Sequence, residues 1–322
     1  MKLSILDQAP VSVNMSAGEA LNNSVKLAVL GDELGYTRFW LAEHHGMNGL
    51  SSSAPEVTLG GIGMVTENIR LGSGATLLPY YKPYKVAEVF NTLASLYGNR
   101  IDIGIGRAPG GDNKASEALS DNYLQHAFKM PELVSELQGY INDADKSPKA
   151  MPLPDNKPEL WMLGTSEKSA VFARDNSMNY CFGKFMSSSS PADVLDTYRE
   201  NGSPGEVIIT VNVFCHADEK YAHDLAYSYA VNQALKSTGR GFDGVADIDA
   251  VSSVKLTDDE RNETEKILSN LIIGTPESVG KELTDMSEAY QVDEFMVVTI
   301  THSIEDKLNS YRLLADHLLK QQ

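Results

Sequence analysis

Short apolar runs rich in β-branched and aromatic residues recur along this chain, separated by stretches whose apolar positions carry helical spacing. The runs predict strands near residues 3–7, 38–42, 69–75, 101–106, 159–164, 179–185, 206–214 and 294–300. Between the first two, Ser16-Ala17-Gly18-Glu19 reads as a capping box that opens a helix with Leu21, Val25 and Ala28 on one face. Gly35 is placed to end that helix. Ser53-Ala54-Pro55-Glu56 repeats the signal ahead of an apolar run that closes near Glu67, and Thr275-Pro276-Glu277 marks a third start. Strands alternating with helices in this number are the pattern of an α/β fold, the (β/α)8 TIM barrel, spanning residues 1–322 as one domain. A doubly wound open sheet fits less well, because no G-x-G follows the first strand. Segments 107–158 and 236–270 are too long for simple connections and are read as partly helical insertions over the C-terminal face of the barrel. Gly239, Gly241 and Gly244 point to flexibility in the second.

Composition narrows the partners. With 322 residues and 42% hydrophobic content, the chain can bury a substantial core. Its 27 Lys and Arg stand against 44 Asp and Glu, and the net charge of −17 repels nucleic acid and anionic membranes. A small phosphorylated ligand stays possible, since a few arginines or one helix N-terminus can hold it. Cys181 and Cys215 are the only cysteines and form no C-x-x-C, so neither a disulfide framework nor a cysteine zinc site is expected. Met1-Lys2 leads straight into Leu3 with no apolar signal core, and no apolar stretch reaches bilayer length. A cytoplasmic location is the expectation.

Active sites of such barrels gather at the C-terminal ends of the strands. The first informative end is Trp40-Leu41-Ala42-Glu43-His44-His45-Gly46, where an apolar strand runs into an acid and two imidazoles. Side chains alternate in a strand, so adjacent histidines chelate one metal poorly, and acid-base work by His44 with a near-neutral pKa is the sharper reading. A plain loop cap is the bland one. The second is Ile101-Asp102-Ile103-Gly104-Ile105-Gly106-Arg107, where Gly104 and Gly106 would leave room inside the barrel for a planar ligand and Arg107 would reach an anionic group. Equally open is that the glycines only relieve crowding and Arg107 pairs with a surface carboxylate. The third is Gly164-Thr165-Ser166-Glu167-Lys168-Ser169, a glycine turn into a helix start. Ser166 there is either an N-cap alone or, with Ser169, part of a phosphate cradle.

Taken with Leu6-Asp7-Gln8-Ala9-Pro10, SAPE at 53–56, RLGSGATLLP at 70–79 and GTPES at 274–278, these segments resemble the bacterial luciferase-like monooxygenase family over nearly the whole chain. The resemblance implies a barrel that binds FMN, usually reduced by a separate flavin reductase, and uses O2 to oxygenate a small organic substrate. It implies His44 as the catalytic residue, and Arg107, Ser166 and Ser169 at the flavin phosphate. Glu43, Gly74, Ala75, Gly164 and Thr165 are expected beside the cofactor, with a cis peptide joining Gly74 to Ala75. A homodimer is expected from the same likeness. A second phosphate-binding arginine of some relatives has no counterpart in 122–131, where Lys129 is the nearest cation. Thr165 replaces an acid of light-emitting relatives, so bioluminescence is not expected.

Three rivals remain. One is hydride transfer with the deazaflavin F420, and another is a flavin-binding barrel without catalysis. The last is a metal-dependent hydrolase, which lacks its H-x-H because the first strand ends Asp7-Gln8-Ala9.

Overall fold

In the computed structural model, which describes residues 1–143, 145–200, 202 and 205–320, eight parallel strands form the barrel. They are β1 (Lys2–Asp7), β2 (Arg38–Leu41), β3 (Arg70–Ser73), β4 (Ile101–Gly106), β5 (Glu159–Gly164), β6 (Asn179–Gly183), β7 (Val207–Cys215) and β8 (Glu294–Val298). Each pairs with the next. β8 pairs with both β7 and β1, in registers such as Phe295 to Ile209 and Leu3 to Phe295, which closes the sheet.

Alternation along the strands builds two cores. Leu3, Ile5, Phe39, Leu41, Leu71, Ile101, Ile103 and Ile105 point outward and pack under the helices. Leu6, Trp40, Trp161, Cys181, Ile208, Met296 and Val298 point inward and fill the barrel, with the two tryptophan rings edge to face at 5.4 Å. Below them, at the N-terminal end, Arg38 lies 4.5 Å over the Trp161 ring and reaches Asp102 at 2.9 Å, Glu294 at 3.0 Å and Glu206 at 2.8 Å. Arg70 takes the other oxygen of Asp102 at 2.6 Å, so this end of the barrel is closed by an ionic cluster under the Trp161 ring.

The first helix, Ala17–Leu34, has the capping box of Ser16 and Glu19, and Gly35 ends it in the left-handed region. Thr275 caps Pro276–Tyr290 as its sequence implies. The second helix departs from expectation. It is Pro55–Gly63, with Pro55 at the first turn and Ala54, which has no side-chain oxygen, as its cap, so Ser53 does not serve. It also stops earlier than residue 67, because buried Arg100 donates to the carbonyls of Gly63, Thr66 and Ile69 and satisfies the groups a further turn would use. The third strand is likewise interrupted. The Gly74–Ala75 peptide is cis, and Thr76–Leu77 forms a separate short strand pairing β4.

Segment 107–158 covers the mouth only in part. Asn113–Leu119 and Tyr123–Phe128 sit by the strand ends, but Met130–Asn142 buries Met130, Val134, Leu137 and Ile141 in the outer core against Pro83–Tyr97 and so belongs to the barrel wall. In the second insertion, Val245 bridges to Ser12 beyond β1 and joins the inner apolar cluster, while Asp258–Leu268 packs along Glu219–Ser237. Arg240 anchors it to Glu260 at 2.6 Å. Among the described residues no helix is long and apolar enough to cross a membrane.

Candidate active site

The ends of β2, β3, β4 and β5 are neighbours in the barrel, so the residues singled out on them share one side of its mouth. Past β2 the chain turns sharply. The N–H of Ala42 donates to Asp7, that of His44 to Ser52 at 2.8 Å, and that of His45 to Gly110 at 2.8 Å. The last bond ties the histidine pair to the loop that carries Arg107.

His44 is half-buried, and its Nδ1 is a buried atom with no hydrogen-bond partner among the described residues. Burial, and secondarily the charge of His45, push its pKa down to about 4. A near-neutral value was the expectation from sequence, and burial overturns it. At pH 7 the ring is neutral.

Glu43 is 3% exposed, yet its carboxylate is well partnered. Oε1 accepts from the Tyr81 hydroxyl at 2.6 Å and lies 2.7 Å from His45 Nε2, while Oε2 accepts the Leu77 N–H at 3.0 Å. The group thereby braces the segment that follows Gly74 and Ala75. Those two residues are held from behind by the bond from the Gly74 N–H to Leu41.

The glycines of β4 do not leave the space expected of them. A Cβ on Gly104 would stand 2.0 Å from the carbonyl oxygen of Ser73, and one on Gly106 would press on Ala75 at 3.2 Å. Their missing side chains admit the irregular end of β3, so the wall itself fills the room that sequence assigned to a planar ligand. One residue on, Arg107 is exposed, and its guanidinium has no ion pair or hydrogen bond among the described residues. Its carbonyl accepts from the Tyr123 hydroxyl at 2.5 Å.

Beyond β5, Ser166 is the N-cap of Glu167–Asp175. The Ser169 hydroxyl donates to the Ser166 carbonyl at 2.6 Å and meets the Tyr180 hydroxyl at 2.9 Å, tucked where any side chain on Gly164 would collide with it. Thr165 is half-buried, and its carbonyl accepts from Ser187. Ser166, the first N–H groups of the helix and Arg107 are therefore the groups on this side with capacity for an anion.

Sequence reading missed the aromatic frame. Tyr80 donates to the Pro109 carbonyl at 2.7 Å and lies 4.8 Å from the Tyr123 ring, and the His45 ring meets Tyr80 edge-on at 6.0 Å. The signal was the pair Tyr80-Tyr81 directly after the apolar end of RLGSGATLLP. Also unforeseen is a cavity of about 370 Å³ on the β7–β8 side, walled by Asp224, Asp247, Asp249, Asp306, Tyr229 and Ile300. It lies away from His44 and Arg107, though Tyr229 and Ile300 also touch the inner apolar cluster.

Comparison with known proteins is consistent along the chain. Residues 1–292 match the family model described as luciferase-like monooxygenase. The N-acetyl-S-alkylcysteine monooxygenase of Bacillus subtilis (strain 168) is 32% identical over 99% of this chain and 98% of its own. The crystal structure of apo-MsnO8 superposes with a TM-score of 0.92 at 33% identity, covering 99% of this chain and 98% of that one. Two more distant structures share the fold. The oxygenating constituent of 3,6-diketocamphane monooxygenase from Pseudomonas putida, in complex with FMN, has a TM-score of 0.72 at 17% identity over 98% of this chain and 96% of its own. An F420-dependent secondary alcohol dehydrogenase has 0.71 at 13% identity over 98% of both.

Proposed function

The chain belongs to the luciferase-like monooxygenase family, and from that premise we propose that it uses reduced FMN and O2 to oxygenate a small organic substrate, the reduced flavin coming from a separate reductase. The observation that carries the reading is the pairing of a neutral His44 whose buried Nδ1 has no hydrogen-bond partner with an Arg107 guanidinium that makes no ion pair, both among the described residues. Both are what a phosphate-bearing flavin at this mouth calls for. When bound, reduced flavin supplies the electrons that activate O2, so that one oxygen atom passes to substrate and the other leaves as water.

The chain's own groups divide the remaining work. Arg107, the Ser166 hydroxyl and the free N–H groups at the start of Glu167–Asp175 bind the phosphate dianion, where charge-assisted bonds are strongest. His44, neutral at physiological pH, accepts a proton at Nδ1. Val245 and the helices Asn113–Leu119 and Tyr123–Phe128 narrow the mouth and so limit the access of bulk water. Replacing His44 with Ala slows turnover strongly and leaves flavin affinity nearly intact; unchanged turnover removes the residue from the chemistry.

The F420 reading keeps a claim on this fold, since an F420-dependent and an FMN-bound neighbour superpose with TM-scores of 0.71 and 0.72. Spectral titration with FMN and with F420 separates them, and saturation by F420 alone would replace the proposal.

A further inference from the structure

The Glu43 carboxylate meets three groups, and its chemistry restricts what those neighbours can be. An ionised carboxylate only accepts hydrogen bonds. Oε2 holds the Leu77 N–H, which has no alternative role than donor. Oε1 faces the Tyr81 hydroxyl, whose pKa burial and Glu43 itself push up, so that it too stays a donor. The remaining contact, 2.7 Å to His45 Nε2, closes only if that nitrogen carries a hydrogen.

We propose that Glu43 is a positioning residue that fixes His45 as its Nε2–H tautomer, leaving Nδ1 as the one nitrogen through which this ring gives or takes a proton beside His44. The claim about proton traffic rests on the monooxygenase reading above; the tautomer does not. His45 is well placed for the task. Its side chain keeps 11% of its surface open, its N–H is fastened to Gly110, and its ring edge meets Tyr80. Glu43, Glu56, Tyr80, Tyr81 and His44 are the titratable groups around it. The neighbouring rings then have separate duties. His44 presents a buried Nδ1 with no hydrogen-bond partner among the described residues, whereas His45 has its Nε2–H held by Glu43 and only Nδ1 left for proton exchange. Two imidazoles in sequence are thus set apart, one by burial and the other by the carboxylate at its Nε2.

The test is the two-bond proton–nitrogen spectrum of the histidines in the 15N-labelled, ligand-free protein. His45 is expected to show the Nε2–H pattern when neutral. In Glu43→Gln, the amide oxygen keeps the Leu77 N–H and turns the amide NH2 toward His45, so the ring is expected to switch to Nδ1–H. Tyr81→Phe leaves the carboxylate in place and is expected to keep the wild-type pattern. A wild-type Nδ1–H pattern, or Nε2–H persisting in a folded Glu43→Gln protein, overturns the proposal; if that variant does not fold, the wild-type pattern alone decides. For the proton role, His45→Gln retains a donor at the ε position and removes Nδ1. Single-turnover reaction with O2 of reduced FMN held by excess protein, followed by stopped flow without the reductase, is expected to slow about 100-fold, and an unchanged rate overturns that role. Failure of the wild-type protein to bind FMN would instead strike the functional reading and leave the tautomer result standing.

Discussion

His44 makes its own low pKa measurable as stability. Folding holds the ring at about 4, against the ordinary 6.5, chiefly by burial. Between those values the unfolded chain binds the proton and the folded one does not, so stability is complete above pH 6.5 and is lost as pH falls toward 4. The full effect is on the order of 3 kcal/mol. His44→Gln is therefore expected to lose less stability than wild type between pH 7 and 4.5, as read from urea midpoints at each pH. Parallel curves for the two proteins would show that burial does not hold the ring neutral. Arg107→Ala acts on another property. It should weaken reduced FMN binding by about 10-fold to 100-fold, the worth of hydrogen bonds to a charged group, while the melting temperature stays put because the guanidinium makes no ion pair or hydrogen bond among the described residues. An unaltered dissociation constant removes Arg107 from the phosphate site.

At the scale of the element, β4 and the end of β3 depend on each other. Gly104→Ala drives a Cβ into the Ser73 carbonyl, so it is expected to cost at least about 1–3 kcal/mol, as overpacking does, and to lower the urea midpoint. A neutral substitution would mean that the β3 end can move aside. That dependence also marks where sequence stops informing. The strands were legible because each alternates between an outer core and an inner one, and the helix starts at Ser16 and Thr275 because caps are local chemistry. Met130, Val134, Leu137 and Ile141 carried a readable helical spacing too, but nothing in their order says which surface they cover, and they proved to be barrel wall. The spaces in front of Gly104 and Gly106 were misread for a related reason. A missing side chain shows that something approaches, and only the packing shows that it is Ser73 and Ala75. His44 was found from its place at a strand end, whereas its burial, and the three partners of Glu43, come from segments as distant as residue 81.

Across the whole molecule, the Arg38 plug joins β2, β4 and β8 and the residue before β7, so it fastens the barrel at the face opposite the site. Removing Arg38 leaves buried Glu294 without its cation and buried Asp102 with Arg70 alone. Arg38→Ala is expected to destabilise the fold by about 3–5 kcal/mol, visible as a lower melting temperature, and a melting curve that does not move would show the plug to be inert. The net charge of −17 sets the opposite constraint at the mouth. A flavin phosphate approaches an acidic protein, and its binding therefore relies on the few local groups that favour an anion. The measurement that bears most directly on the account is an anaerobic spectral titration of the purified protein with reduced FMN. Saturable binding that weakens in Arg107→Ala is the expected result. Absence of binding by reduced FMN under conditions where F420 saturates the protein would contradict it.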